Sequence, residues 1–221
     1  MTEPLFFDTD CLSAFLWVNN QSLLAKLYPG RVIIPSAVYV ELSNPRIAHL
    51  KARVDTMVSS KSARVETIET GTVEYALYRK LVSKPDPGHL VIGNGEAAAI
   101  VLAKEKGGIL ASNNLRDVSA YVTEYGLKHV TTGAILSEAL EKGLISEMVG
   151  NQLWLEMLRK RRKLGYASFT DYLNANPLKK DEPECKTESN TVKESENYEA
   201  NNSSEGMDGT ELIPYKNNSK E

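Results

Sequence analysis

The chain is poor in the residues that build sulfur and imidazole sites. Its two cysteines, Cys11 and Cys185, stand far apart, whereas a disulfide scaffold or a zinc centre needs more sulfur at closer spacing. Cys11 follows an apolar strand pattern and reads as a small buried hydrophobe. The three histidines, His49, His89 and His129, share no spacing that suggests metal or acid–base work; only His89 lies near a candidate site in the chain. No apolar run approaches the roughly 20 residues of a membrane span, and the N-terminus lacks a basic segment followed by an apolar one. The expectation is a cytoplasmic protein without a membrane partner.

What is present suffices for one domain: 42% of the 221 residues are hydrophobic, enough for a core of its own. Charge is uneven. From Leu178 to Glu221 six lysines face eleven acidic residues, a net of −5, while residues 1–177 carry 20 basic and 18 acidic groups, a net of +2. After about Asn176 the composition turns to Glu, Ser, Asn, Thr and Lys. Such a segment cannot bury enough apolar surface to offset its ordering entropy. The reading is therefore a folded domain over residues 1–175 and a disordered acidic tail over residues 176–221. Leu212-Ile213-Pro214-Tyr215 is the tail's apolar island.

Within the body, short apolar runs alternate with helical patterns. Strands are predicted at Pro4 to Phe7, Val32 to Ile34, Val65 to Ile68, Gly108 to Ala111 and Lys128 to Thr131. Between them apolar residues recur at helical spacing. Ser36 reads as the N-cap of a helix carrying Glu41, and Glu96 opens a strong helix after Gly93-Asn94-Gly95. Further helices are expected near Ile47 to Ser59, Val73 to Val82, Leu115 to Tyr125, Ala134 to Lys142 and Ser146 to Lys163. This alternation predicts a three-layer α/β/α fold around a central, mostly parallel sheet of about five strands.

In open parallel sheets, ligands gather at the carboxyl ends of the strands. Asp8 ends the first strand, Asp117 follows the fourth by six residues, Glu96 sits in the first turn of its helix, and Glu41 faces the sheet side of its own. Four carboxylates thus have a route to one edge. Singly, each also has a plainer reading, as a helix-dipole partner or a solvated surface acid; for Asp117 that includes pairing with Arg116 or Lys128. Asp8 resists it most, because an Asp ending an apolar strand is costly without partners. Converged carboxylates repel one another unless a cation sits among them. Oxygen-only ligands suit Mg²⁺ or Mn²⁺, and such ions serve phosphodiester hydrolysis.

The order of these motifs resembles the PIN-domain nucleases. FFDTDCLSAF is similar to their opening strand ending in Asp-Thr, PSAVYVEL to their second acidic element, and GNGEAAAIVLAKEKGG to the third, in a subgroup with a Gly-Glu opening. ILASNNLRDV takes the place of the fourth, and TTGAILSEALEKGLISEM continues like the same subgroup. The resemblance implies a Mg²⁺- or Mn²⁺-dependent ribonuclease acting on RNA. It also implies kinship with VapC-type toxins, with an antitoxin and a homodimer as partners. Asp8, Glu41, Glu96 and Asp117 would form the site, with Asp8, Glu96 and Asp117 as metal ligands, the first two central, and with Thr9 and Asn114 in support. One departure stands out: Asn113-Asn114 occupies the place where the family usually presents an Asp. An amide brings no charge, so the competing reading is a catalytically weakened PIN-like module that binds nucleic acid or protein. A phosphatase using Asp8 and Asp10 lacks the Lys and Ser/Thr set it would need.

Two further features admit more than one reading. Arg159-Lys160-Arg161-Arg162-Lys163 is the densest basic run; it reads as a phosphate contact or as cations complementing a helix C-terminus. Trp154, Leu155 and Leu158 are expected to pack on the domain rather than stack on bases. Gly93 and Gly95 are read as permitting a tight turn.

Overall fold

The computed structural model describes residues 3–177. The acidic tail, with Cys185 and the 212–215 island, lies outside the described residues apart from its first two. Five parallel strands form one sheet: β1 (Leu5–Phe7), β2 (Val32–Pro35), β3 (Ala63–Glu66), β4 (Ile109–Ala111) and β5 (Lys128–Val130). Their spatial order is β3-β2-β1-β4-β5. Leu5 pairs with Val32 on one side and Ile109 on the other, which puts β1 at the centre.

The strands are short, and their side chains alternate between two cores as the two-residue period requires. Leu5, Phe7, Val32, Ile34 and Ala111 belong to one buried cluster, whereas Phe6, Ile33 and Leu110 belong to the other. The first cluster is completed by α1 (Thr9–Trp17), α2 (Gln21–Leu27), α4 (Ala48–Ser59), α8 (Thr132–Glu141) and α9 (Glu147–Arg159). The second draws on α5 (Val73–Ser83), α6 (Asn94–Lys106) and α7 (Leu115–Glu124). Helix α3 (Ser36–Leu42) leaves β2 directly, and α10 (Phe169–Ala175) packs on α9. This is the expected three-layer α/β/α fold, with a sheet that is parallel throughout.

Several local expectations are corrected. Strand β3 begins two residues before the predicted one: as an edge strand it exposes Arg64 and Val65, so its apolar content is a poor guide. Ser36 is the first residue of α3 and not its cap; Pro35 takes that place, with no side-chain cap. Cys11 is fully buried in α1, after the strand, as expected. Helix α9 stops at Arg159, and Arg161 adopts φ +58°, so most of the basic run lies beyond the helix. Trp154 is fully buried, and Leu158 packs on the core, but Leu155 remains 48% exposed. The helical spacing of Trp154 and Leu158 placed one face correctly, and Leu155 sits beside it. Helices α2 and α10, seven residues each, are too short to show a clear period in sequence.

Candidate functional site

The carboxyl ends of β1 and β4 adjoin at the middle of the sheet, and there Asp8 leaves the strand as the N-cap of α1. Its Oδ1 accepts the Cys11 N–H at 2.6 Å, an ordinary capping bond. Its Oδ2 is buried and has no hydrogen-bond partner among the described residues. Burial lifts the Asp8 carboxyl to about 7, with Asp10 and Glu96 pushing in the same direction. The Cys11 N–H and the neighbouring Ser112 hydroxyl offset part of that rise, although the hydroxyl does not reach Oδ2 in bonding geometry. An orphaned carboxylate oxygen in a dry site is costly.

Glu96 reaches the same place from the other layer. Gly93 caps α6, and its N–H donates to Glu96 Oε2 at 3.1 Å, which fixes the carboxylate over the helix N-terminus. The other oxygen, Oε1, accepts from Asn114 Nδ2 at 2.6 Å. The same amide nitrogen donates to Asp117 Oδ2 at 2.7 Å. One neutral amide therefore bridges two acids, each of its two hydrogens serving one. Asp117 lies in the first turn of α7 and finds its partner in Asn114, not in Arg116 or Lys128; Lys128 pairs with Glu3.

The two asparagines do different work. Asn113 turns away from the acids: its Nδ2 donates to Thr132 Oγ1 at 2.9 Å, and its Oδ1 accepts the Thr132 N–H at 2.8 Å. It ties the end of β4 to the start of α8. Asn114 alone faces the carboxylates.

Glu41 stands on α3 at the far side of Thr9. It accepts the Thr9 hydroxyl on Oε2 and the Gly95 N–H on Oε1, the latter at 2.8 Å. Gly95 is not a turn residue: it lies inside α6, buried, without a left-handed φ. A Cβ there would come within 2.5 Å of Thr9 Oγ1 and 2.9 Å of Glu41 Oε2. The glycine is needed for close approach, and an alanine at that position of a helix would otherwise be favoured. Gly95→Ala is expected to cost about 1–3 kcal/mol through overpacking and to detach Glu41 from Thr9. Urea denaturation checks the first effect and the rate of any metal-dependent cleavage the second; an unchanged midpoint with an unchanged rate would mean that the approach is not tight.

Glu96 and Asp117 thus meet at the Asn114 amide, Asp8 lies within electrostatic reach of Glu96, and Glu41 is bonded to Thr9, the residue after Asp8, and to Gly95, the residue before Glu96. The donors fit a hard divalent ion in kind, all oxygen, and the partnerless Asp8 Oδ2 is an acceptor left free for one. At the third position the fit weakens, because an N–H₂ group points at Glu96 and Asp117 where a cation's ligands would converge. Among the described residues no group of three or more His, Cys, Asp or Glu side chains is placed to hold a metal ion.

The basic run is only partly free. Arg162 donates to Asp10 Oδ1 and Ser13 Oγ, both at 3.2 Å, and Lys160 lies 5.7 Å over the Trp17 ring. Both pin the end of α9 to α1. Arg159, Arg161 and Lys163 stay exposed. Lys163 and Arg116 line a cavity of about 370 Å³ that also touches Asn114 and Tyr166. Cations therefore flank the acids on the Asn114 side. His89 lies away from this site, packed 4.5 Å from the Tyr121 ring and paired with Glu124.

Sequence reasoning missed Ser112 and misread Gly95. Ser112 is fully buried beside Asp8, and its Oγ accepts the Asn114 N–H at 3.2 Å. The available signal was a small polar residue ending an apolar strand, as at Asp8. For Gly95 it was a glycine in the first turn of an alanine-rich helix, where Ala would be the better helix former.

No curated protein and no solved structure matches the chain significantly. A family model described as a PIN domain matches residues 5–167, from the first strand past the last cation of the basic run. Proteins of that kind are generally nucleases that act on nucleic acids with divalent metal ions. The central parallel sheet and the match over most of its length agree: this chain belongs to the PIN-domain family.

Proposed function

We propose that this PIN domain is a metal-dependent endoribonuclease whose site is built on Asp8 and Glu96. The observation that carries the reading is the buried, partnerless Asp8 Oδ2 at the carboxyl edge of the sheet, within electrostatic reach of Glu96. A Mg²⁺ or Mn²⁺ ion bound there would supply the positive charge that activates water and stabilises a leaving oxygen. The chain's residues hold the rest. The Cys11 N–H fixes Asp8 so that Oδ2 stays free. The Gly93 N–H and the Asn114 amide fix Glu96. Asp117, held by the same amide, completes the acidic wall. Glu41, exposed and oriented by Thr9 and Gly95, stands ready to take a proton from an attacking water. Lys163 and Arg116, exposed beside Asn114, are placed to meet the phosphates of the strand.

A second reading is favoured by one observation, the amide bridge of Asn114. Where a neutral donor satisfies two carboxylates, those acids need no cation, and the domain then binds nucleic acid or protein without cutting. A toxin role with an antitoxin, and a homodimer, rest on the resemblance to VapC-type proteins alone.

The decisive experiment incubates the purified protein and Asp8→Asn with structured and unstructured RNA, in Mn²⁺ or in EDTA. The nuclease reading expects cleavage that needs both Asp8 and the ion. A folded protein that neither cuts RNA nor binds Mn²⁺ at millimolar concentration would overturn it in favour of the binding module.

A further inference from the structure

On the Glu41 side of the acids lies a cavity of about 310 Å³ between α3, α5 and α6. Its walls carry Tyr75 and Tyr78 from α5, Ile68, and Val40 from α3, with Asn94 at the start of α6. Glu41 belongs to both places: it lines this cavity and is bonded to Thr9 and Gly95 of the site. The cavity therefore opens next to the acids. Its chemistry is the reverse of the Asn114 side, where Lys163 and Arg116 stand. No lysine or arginine lines it, and the one charge at its lip is a carboxylate, so it repels a phosphate.

Two half-buried tyrosine rings stand with centroids 6.1 Å apart and planes tilted by 36°. The Tyr78 hydroxyl donates to Asn94 Oδ1 at 2.9 Å; this engages the amide oxygen and leaves the N–H₂ group as a donor. Val40 is 69% exposed at the rim, a position where a lone apolar side chain gains nothing from water. Flat apolar rings with an amide donor at their edge match a flat, neutral ligand that carries hydrogen-bond acceptors. A helix of a partner protein, about 10 Å across, would need a longer groove than a cavity at the lower end of small-ligand size.

We propose that this cavity takes an unpaired nucleobase of the RNA strand, next to the phosphodiester held at the acids. The proposal rests on the ribonuclease reading and sharpens it by giving the base beside the cut its own cavity, lined by Tyr75, Tyr78 and Asn94. A base stacks against Tyr75, while the Asn94 amide donates to an acceptor on the base edge. Duplex RNA cannot enter, because its bases are paired and stacked and its grooves expose only edges. Cations on one side of the acids and an aromatic cavity on the other then suit the two parts of a nucleotide chain, phosphate and base.

The test uses the full chain in EDTA, so that binding is read without cleavage. Fluorescence anisotropy compares a labelled adenosine decamer with the same decamer annealed to its complement. Tyr75→Ala is expected to weaken single-strand binding about fivefold or more, Tyr75→Phe to stay within about twofold of the parent because it keeps the stacking face, and neither to alter duplex binding. Val40→Gln, on an exposed surface, is expected to act in the same direction as Tyr75→Ala without any folding risk. A 2-aminopurine placed in the decamer should be quenched on binding, and less so by Tyr75→Ala. Single-strand binding that ignores both Tyr75→Ala and Val40→Gln overturns the base pocket while leaving the ribonuclease reading standing; that is also the result if the cavity seats a partner protein. Equal weakening of single strand and duplex overturns it too. A parent protein that binds neither RNA in EDTA overturns the pocket as well, while the ribonuclease reading stands or falls with cleavage in Mn²⁺.

Discussion

Asn114→Asp is expected to raise Mn²⁺ affinity at least about tenfold at neutral pH while lowering the stability of the metal-free protein. Asn114 Nδ2 now donates to both Glu96 Oε1 and Asp117 Oδ2. A carboxylate there removes two charge-assisted hydrogen bonds to partly buried acids, each worth about 1–2 kcal/mol. It also adds a like charge facing Glu96 and Asp117. Without a cation the variant should lose about 2–4 kcal/mol, because its acids repel and must share protons. With Mn²⁺ the same charges become ligands, and the added attraction exceeds the tenfold equivalent of about 1.4 kcal/mol even at a high effective dielectric. Isothermal titration and thermal melts in EDTA and in Mn²⁺ read the two effects separately. An Mn²⁺ constant equal to the parent's would mean that Asn114 does not stand at the ion's position. If cleavage rises alongside affinity, the parent is a weakened nuclease; if affinity rises and no cutting appears, the binding-module reading gains.

Much of this arrangement was legible in the residues. Asp8 was readable because an acid that ends an apolar strand is a local anomaly, and Glu96 because a first-turn acid after a glycine-rich break has a known place on a helix. The sheet was readable from strand–helix alternation, down to its parallel sense. The misreadings share a cause: sequence spacing carries no distances between distant segments. Nothing local distinguishes Asn113, which clamps Thr132, from Asn114, which bridges two acids; neighbouring residues beyond a strand end turn opposite ways. Gly95 looked like turn chemistry because its true neighbours, Thr9 and Glu41, are 86 and 54 residues away. Arg162 looked like a free cation because Asp10 and Ser13 meet it only after folding. Tyr75 and Tyr78 fell within a correctly expected helix, yet the cavity they line depends on α3 and α6 packing beside them.

Asp8→Asn is expected to melt higher than the parent at pH 8 in EDTA, and lower than the parent once Mn²⁺ is added. The first half follows from the raised carboxyl. Asp8 ionises at about 7 in the fold, against an ordinary value of 3.8. Below pH 4 both folded and unfolded chains hold the proton and nothing is lost. As pH climbs from about 4 to about 7 the unfolded chain releases its proton first, so folding loses roughly 1.4 kcal/mol per pH unit. Above 7 the loss is complete and level. Asparagine has no proton to release and keeps the shape of the neutral acid, so the variant's advantage should grow through that window and then stay flat. Allowing for relaxation around a buried charge, the advantage should reach about 2–4 kcal/mol, or roughly 5–15 °C for a domain of this size. The second half follows from linkage: an ion that prefers the ionised carboxylate stabilises only the parent, by about 4.1 kcal/mol at a thousand times its dissociation constant, which outweighs the variant's advantage. The order of the two melting temperatures should therefore reverse between EDTA and Mn²⁺. A variant that is less stable at pH 8 in EDTA would mean that Asp8 has a partner that compensates its charge. Equal gains for both proteins in Mn²⁺ would place the ion elsewhere. A reversal would tie the cost of leaving Oδ2 unpartnered in the fold to the ligand that removes it, which is the arrangement expected when a strand-end acid is kept for chemistry at the expense of stability.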